Sequence, residues 1–264
     1  MEVVSGNYLV GPESVRASLR SRGITVQRRR VRDSMHRTNP GASAIRSLLQ
    51  SPERRSYSVQ GPNSLWHIDG NHKLIRWRIV IHGGIDGYSR LIVFLRASAN
   101  NRSATVLDSF VGAVARYGVP SRVRTDRGGE NAAVCLLMNI FRGLRRGSAI
   151  QGRSVHNQSI ERLWADLWRG LTNVYYELFH FLENEGIIDP DNDRHIWALH
   201  YTYLPRINRD LADFVSQWNN HGLRTERHLS PRQIFVRGCL QQQGSRFEPS
   251  LILSVALEVS MEYH

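Results

Sequence analysis

Val155–Trp164, VHNQSIERLW, opens the clearest helical pattern in the chain and sets one acid, Glu161, at its border. From there Ile160, Leu163, Trp164, Leu167, Trp168, Leu171, Val174, Tyr175 and Leu178 recur at intervals of three and four. That spacing predicts a long amphipathic helix packed on a sheet. Glu161 lies about 100° round the helix from Ile160, with Asn157 one turn earlier on its own face. Two more acids sit upstream in comparable settings: Asp69 in LWHIDGNHKL (65–74) and Asp126 in VRTDRGGEN (123–131).

Around Asp69 the chain alternates. Trp66 and Ile68 point one way, and His67, Asp69 and Asn71 the other, which predicts a strand. Ile79–Ile81 and Leu91–Leu95 are further β-rich runs, and Gly83-Gly84 and Asp86-Gly87 read as turns beside them. Three consecutive antiparallel strands are expected. Asp86, in GIDGYSR, is assigned to a turn. Arg102–Tyr117 predicts a helix with the stripe Val106, Phe110, Val111 and Val114, stopped by Gly118-Val119-Pro120. Val123 then starts a short strand that delivers Asp126 at its C-terminal end, beside Asp69. This order of elements predicts an α/β fold, a mixed sheet with helices on its faces. Gly128-Gly129 would let the backbone come close to a ligand, with Glu130 and Asn131 displayed on the loop. Taken singly, Asp69 also reads as an edge residue, Asp126 as a turn aspartate and Glu161 as an ion-paired flank.

The 264 residues suit one substantial domain plus a small one, and 41% hydrophobic content suits a buried core rather than disorder. A net charge of +12 points to a polyanionic partner, nucleic acid first. Two cysteines cannot build a disulfide framework or a four-cysteine zinc site, and a reducing, intracellular setting is expected. The start shows no signal-peptide pattern, and Leu251–Leu257 is too short to span a bilayer, so no membrane role is expected. Near the start, Gly11-Pro12 opens a helix with Val15 and Leu19 on its apolar face and Ala17 off it, broken at Gly23. Thr25 is the expected N-cap of a second helix, Val26–Arg37, with Val31 and Met35 four apart. The pair suggests a helix-turn-helix whose second helix carries Arg28, Arg29, Arg30, Arg32 and Arg37 for phosphates and base edges. A solvated basic helix or an import signal is the other reading. Met1–Leu9 is too short for a preceding third helix, as in a truncated start. The expected organisation is a helix-turn-helix segment at 1–38 and a linker at 39–64, with one short helix around Ala42–Leu49. A core at 65–185, a helical extension at 186–236 and a tail at 237–264 follow.

WHIDG, IDGYSR, TDRGGEN and HNQSIERLW, in this order, resemble the catalytic core of retroviral-type integrases, shared by retrotransposon integrases and many transposases. Phe214–Phe235, with Trp218-Asn219-Asn220 and a Ser230-Pro231 helix start, resembles the segment that closes such cores. The two helices at the start are similar to those that precede this core in transposases. The resemblance implies a ribonuclease-H-like fold and an acidic triad, Asp69, Asp126 and Glu161, that binds two Mg²⁺ or Mn²⁺ ions. Clustered carboxylates suit hard cations that offset their repulsion. The implied activity is phosphoryl transfer on DNA, cleaving donor ends and joining them to target DNA, by a homo-oligomer on double-stranded DNA. The protein would be nuclear in a eukaryote and otherwise intracellular and DNA-associated. Arg127, Asn157, Arg162 and Arg169 are candidate DNA contacts beside the metals, or solvated surface groups. Trp66, Trp164 and Trp168 are assigned to the core.

The chain departs from the family in four places. The 34 residues between Asp126 and Glu161 are one fewer than usual. A retroviral-type zinc module is missing. Glu183–Pro205 looks like extra sequence, and the tail lacks a basic β-barrel pattern. Two other readings stay open: a catalytically silent DNA-binding protein of this fold, and a metal nuclease acting on RNA·DNA hybrids.

Overall fold

The computed structural model describes residues 11–38, 59–126, 128–143, 146–152 and 158–243. The expected helix around Ala42–Leu49 and the run Leu251–Leu257 lie outside them. Pro12 opens α1 (Pro12–Ser21), where a missing amide hydrogen costs nothing. Gly23, at φ +78°, turns the chain into α2 (Arg28–Thr38). This helix starts later than expected. The Val31 amide donates to the Gln27 carbonyl at 3.3 Å, so Thr25 lies outside the cap position. Ala17 is the buried residue of α1, while Val15 and Leu19 are half-buried, the reverse of the sequence expectation. A short side chain there lets α1 lie closely against a long helix from the far end of the chain. Val31 is buried on α2, and Arg28 reaches Glu13 of α1 at 2.5 Å.

The sheet comprises β1 (Trp66–Asn71), β2 (Val80–Asp86), β3 (Ile92–Ser98) and, beyond α3 (Ser103–Tyr117), β4 (Val123–Thr125). After α4 (Ala132–Arg142), β5 (Ala149–Gln151) completes it. β1, β2 and β3 are antiparallel neighbours, β4 runs parallel to β1, and β5 parallel to β4, giving the order β3-β2-β1-β4-β5. Gly83 and Gly84 do not form a turn. They lie inside β2, opposite Asp69 and Ile68. Both are glycine for lack of room: a methyl group at Gly83 would sit 2.6 Å from Cη2 of Trp164, and one at Gly84 2.4 Å from Cε1 of Phe94. The Asp86 turn is as expected. Its Oδ2 accepts from the Ser89 amide (2.8 Å) and hydroxyl (2.6 Å), and its Oδ1 from the Asn63 amide (2.9 Å).

One sheet face carries Trp66, Ile68 and Val93 and packs on Val106 and Phe110 of α3 and Val134 and Met138 of α4. Val111 is 47% exposed, and Ala113 takes its place in the stripe. The other face carries Ile81 and Ile85 and is covered by a helical rod. The rod runs through α5 (Gln158–Leu167), a π turn (Trp168–Thr172) and α6 (Asn173–Asn184). Leu163, Leu167, Leu171, Tyr175 and Phe179 are its buried stripe, at a strict spacing of four. Four residues overshoot an α-helical turn by about 40°. The wider π turn takes up part of that drift and keeps the stripe on the sheet.

Glu183–Pro205 folds as the end of α6, a loop and the first half of α7 (Asp193–Asn220). It is part of the core, because Ile196 and Leu199 are buried with Tyr175 and Phe179. The second half of α7 covers the edge of β3. Asn208 accepts from the Ala97 amide (2.9 Å) and donates to its carbonyl (3.1 Å). Asn219 does the same for Ile92, at 2.9 and 3.2 Å. Eleven helical residues and five strand residues both span about 16 Å, so the two asparagines match two outward-facing backbone positions. An exposed edge is thereby closed to other strands. α1 packs on this same helix, with Gln217 donating to the Ser14 carbonyl. α8 (Pro231–Gln243) starts at Ser230-Pro231 as expected, through a capping box in which Ser230 Oγ accepts from the Gln233 amide (3.2 Å) and Gln233 Oε1 from the Ser230 amide (2.9 Å). The architecture is the ribonuclease-H-like α/β arrangement, a mixed five-stranded sheet between helices, preceded by the two-helix unit.

Candidate active site

The parallel register of β1 and β4 builds the site. Trp66 pairs with Val123 and His67 with Arg124. The same offset carried two residues further sets Asp69 alongside Asp126. The acids are close enough to feel each other. Burial pushes the Asp69 carboxyl above the usual carboxylate range, bonds from the Trp164 indole and the Gly70 amide pull it back, and the Asp126 charge raises it again. Two neighbouring carboxylates with this mutual repulsion suit a hard divalent cation, which oxygen ligands select.

Both acids are held by hydrogen bonds. Asp69 Oδ2 accepts from the Trp164 indole Nε1–H at 2.8 Å. Asp126 Oδ1 accepts from the Gly128 amide at 3.0 Å and from Asn131 Nδ2 at 2.9 Å. Asn131 is therefore buried rather than displayed on the loop, because the carboxylate turns it inward. Gly128 has an ordinary φ of −65°, with the flexible Glu130 carboxylate beside it. On the neighbouring strand the His82 ring is buried beside Gly70, bonded to the Asn100 carbonyl at 3.3 Å, and burial lowers its pKa.

Glu161 lies in the first turn of α5 and is exposed. Three residues on, Trp164 bonds Asp69 and lays its ring over Gly83. Side chains three apart on a helix are neighbours, with Cβ atoms about 5–6 Å apart. Glu161 thus stands one turn from the contact that pins α5 to Asp69. Among the described residues no group of three or more His, Cys, Asp or Glu side chains is gathered tightly enough to hold a metal. The structure brings Asp69 and Asp126 together and leaves Glu161 at the rim.

The basic candidates divide. Arg29, Arg30 and Arg32 are exposed on α2, and Arg28 is paired with Glu13. Arg162 and Arg169 flank Asp166, at 3.8 and 3.6 Å, with their side chains 62% and 50% exposed. Arg127 and Asn157 lie outside the described residues. The site residues that sequence reasoning missed are Trp164 and Asn131. The available signal was their position: three residues after Glu161, and five after Asp126. Among the described residues no helix is long and apolar enough to cross a membrane.

No curated protein matches the sequence. Among solved structures, the magnesium complex of the HTLV-2 integrase catalytic core domain, in its dimeric form, is similar at 14% identity over 66% of this chain and 97% of that one, with a TM-score of 0.43. The BIV integrase catalytic core domain is similar at 13% identity over 68% and 98%, with a TM-score of 0.46. A simian T-cell lymphotropic virus intasome in complex with PP2A regulatory subunit B56 gamma is similar at 14% identity over 85% and 74%, with a TM-score of 0.42. The family model described as "Integrase core domain" matches residues 56–248, well over half of the chain, and the chain belongs to that family.

Proposed function

We propose that this protein is a divalent-metal-dependent DNA strand transferase, cleaving donor DNA ends and joining them to target DNA. The observation that carries this reading is the β1–β4 register, which sets Asp69 beside Asp126 at the mouth of the sheet. Asp69 and Asp126 are two of the ligands, and Glu161, on the first turn of α5, is the third. Two Mg²⁺ or Mn²⁺ ions held there supply stabilisation of the attacking and leaving oxygens of an in-line displacement. Trp164 and Asn131 orient the two aspartates. Arg162 and Arg169, with Arg127 and Asn157 on sequence grounds, hold the DNA backbone beside the acids. Arg28, Arg29, Arg30 and Arg32 of the two-helix unit bind duplex DNA further out, with 1–38 acting as a recognition segment and 39–64 as its tether to the core at 65–185. The helices at 186–236, with α8 running on to Gln243, close the core, and the tail follows. Action on two DNA ends and a target calls for a homo-oligomer on DNA, in the nucleus if the host is eukaryotic and otherwise intracellular and DNA-associated.

The test is joining of a matched donor end to plasmid DNA with Mn²⁺ present. Asp126→Asn is expected to abolish joining and leave DNA binding nearly unchanged. Equal joining by the mutant refutes the assignment. The exposed Glu161 favours a second reading, a silent DNA-binding protein of the same fold. That reading predicts no joining by wild type under any metal, with DNA binding intact.

A further inference from the structure

We propose that Trp164 is a positioning residue for metal binding: its indole N–H locks the Asp69 carboxylate so that one oxygen faces Asp126 and a cation between them. The proposal rests on the metal-site reading above and goes beyond it in assigning a role to a tryptophan that packing alone would explain.

The geometry is directional. β1 lies between β2 and β4 in the sheet. The Trp164 ring covers Gly83 of β2, so its bond draws Asp69 Oδ2 to the β2 side. Asp126 lies on the opposite, β4 side. In this proposal, holding Oδ2 towards β2 turns Oδ1 towards Asp126, with the Gly70 amide also bonding the carboxylate. A free aspartate would sample both orientations and would have to surrender that freedom on binding a cation. Asp126 is held in the same manner through Oδ1 by Gly128 and Asn131, so the pair is pre-oriented from both flanks. The ring is also well fixed. Gly83 gives it room, and Leu95 and Phe214 pack with it in the core. Glu161 shares a helical face with Trp164, so the bond that orients Asp69 also sets how close the third acid's helix comes. Groups that orient metal ligands from behind typically change metal affinity by 10- to 100-fold when removed.

The test measures Mn²⁺ binding by calorimetry on the whole protein without DNA, for wild type, Trp164→Phe, Asp126→Asn and, as a packing control, Trp168→Phe. Trp164→Phe keeps most of the ring and removes the donor. It is expected to weaken Mn²⁺ binding at least about tenfold with little change in melting temperature, while Trp168→Phe leaves the affinity alone. Wild-type affinity in a folded Trp164→Phe overturns the proposal and leaves the metal site standing. No Mn²⁺ binding by wild type, or unchanged binding by Asp126→Asn, overturns the metal site itself and this proposal with it. Should Trp164→Phe not fold, indole N–H resonances of the wild type decide. Of the six tryptophans, Trp164 is expected to shift on Mg²⁺ titration, and a Trp164 resonance that stays still while Mg²⁺ binds overturns the proposal.

Discussion

Replacing Gly83 with alanine tests the packing of the metal-site helix on the sheet, and the sign of the effect is the readout. Glycine inside a strand is ordinarily unfavourable, so alanine should stabilise by roughly 0.5–1 kcal/mol if space allows. Here the new Cβ would lie 2.6 Å from Cη2 and 3.3 Å from Cζ2 of Trp164, and 3.1 Å from Cδ1 of Leu95. Trp164 cannot retreat freely, because its Nε1–H is bonded to Asp69. Relief requires the ring to tilt and lose that bond, or α5 to lift from β2. Overpacking of this kind costs about 1–3 kcal/mol, which after the backbone gain leaves a net loss centred on about 1 kcal/mol. Urea melts of wild type and Gly83→Ala, compared at equal m-value, measure it. Because α5 also carries Glu161, metal-dependent joining should fall further than stability does. A Gly83→Ala protein as stable as wild type, or more so, would show that Trp164 does not rest on this strand, and the orientation of Asp69 argued from it would fail.

The remaining expectations concern other parts of the fold. Asn219→Ala leaves both backbone groups of Ile92 on the β3 edge without their side-chain partner. A loss of about 2 kcal/mol in chemical denaturation and a greater tendency to self-associate on gel filtration are expected. Unchanged stability would show that α7 does not shield the edge. Arg29→Glu with Arg30→Glu, both exposed on α2, should weaken duplex DNA binding and reduce the salt dependence of the binding constant by about one unit per lost phosphate contact. An unaltered salt slope would assign these arginines to solvent.

Alternation at Trp66 and Ile68, the apolar run of the Glu161 helix, the Ser230-Pro231 start and the Asp86 turn were legible in the sequence, because each depends on residues a few positions apart. So was the order of elements that sets Asp69 and Asp126 on adjacent strands. Other features depend on groups remote along the chain. Gly83-Gly84 carries the composition of a turn, yet a tryptophan 81 residues later decides that it is strand. Val111 fits the stripe of α3 by spacing, but α4 and the sheet leave it at the surface. Ala17 and Asn131 were placed outward, and α7 and Asp126 turn them in.

Local periodicity determined the elements, since side-chain direction repeats every two or 3.6 residues whatever lies beyond. Which oxygen of Asp69 is held, and how near Glu161 comes to it, only the tertiary structure decided. Both depend on an indole hydrogen bond between residues 95 positions apart, and no local pattern encodes where such distant donors and acceptors meet.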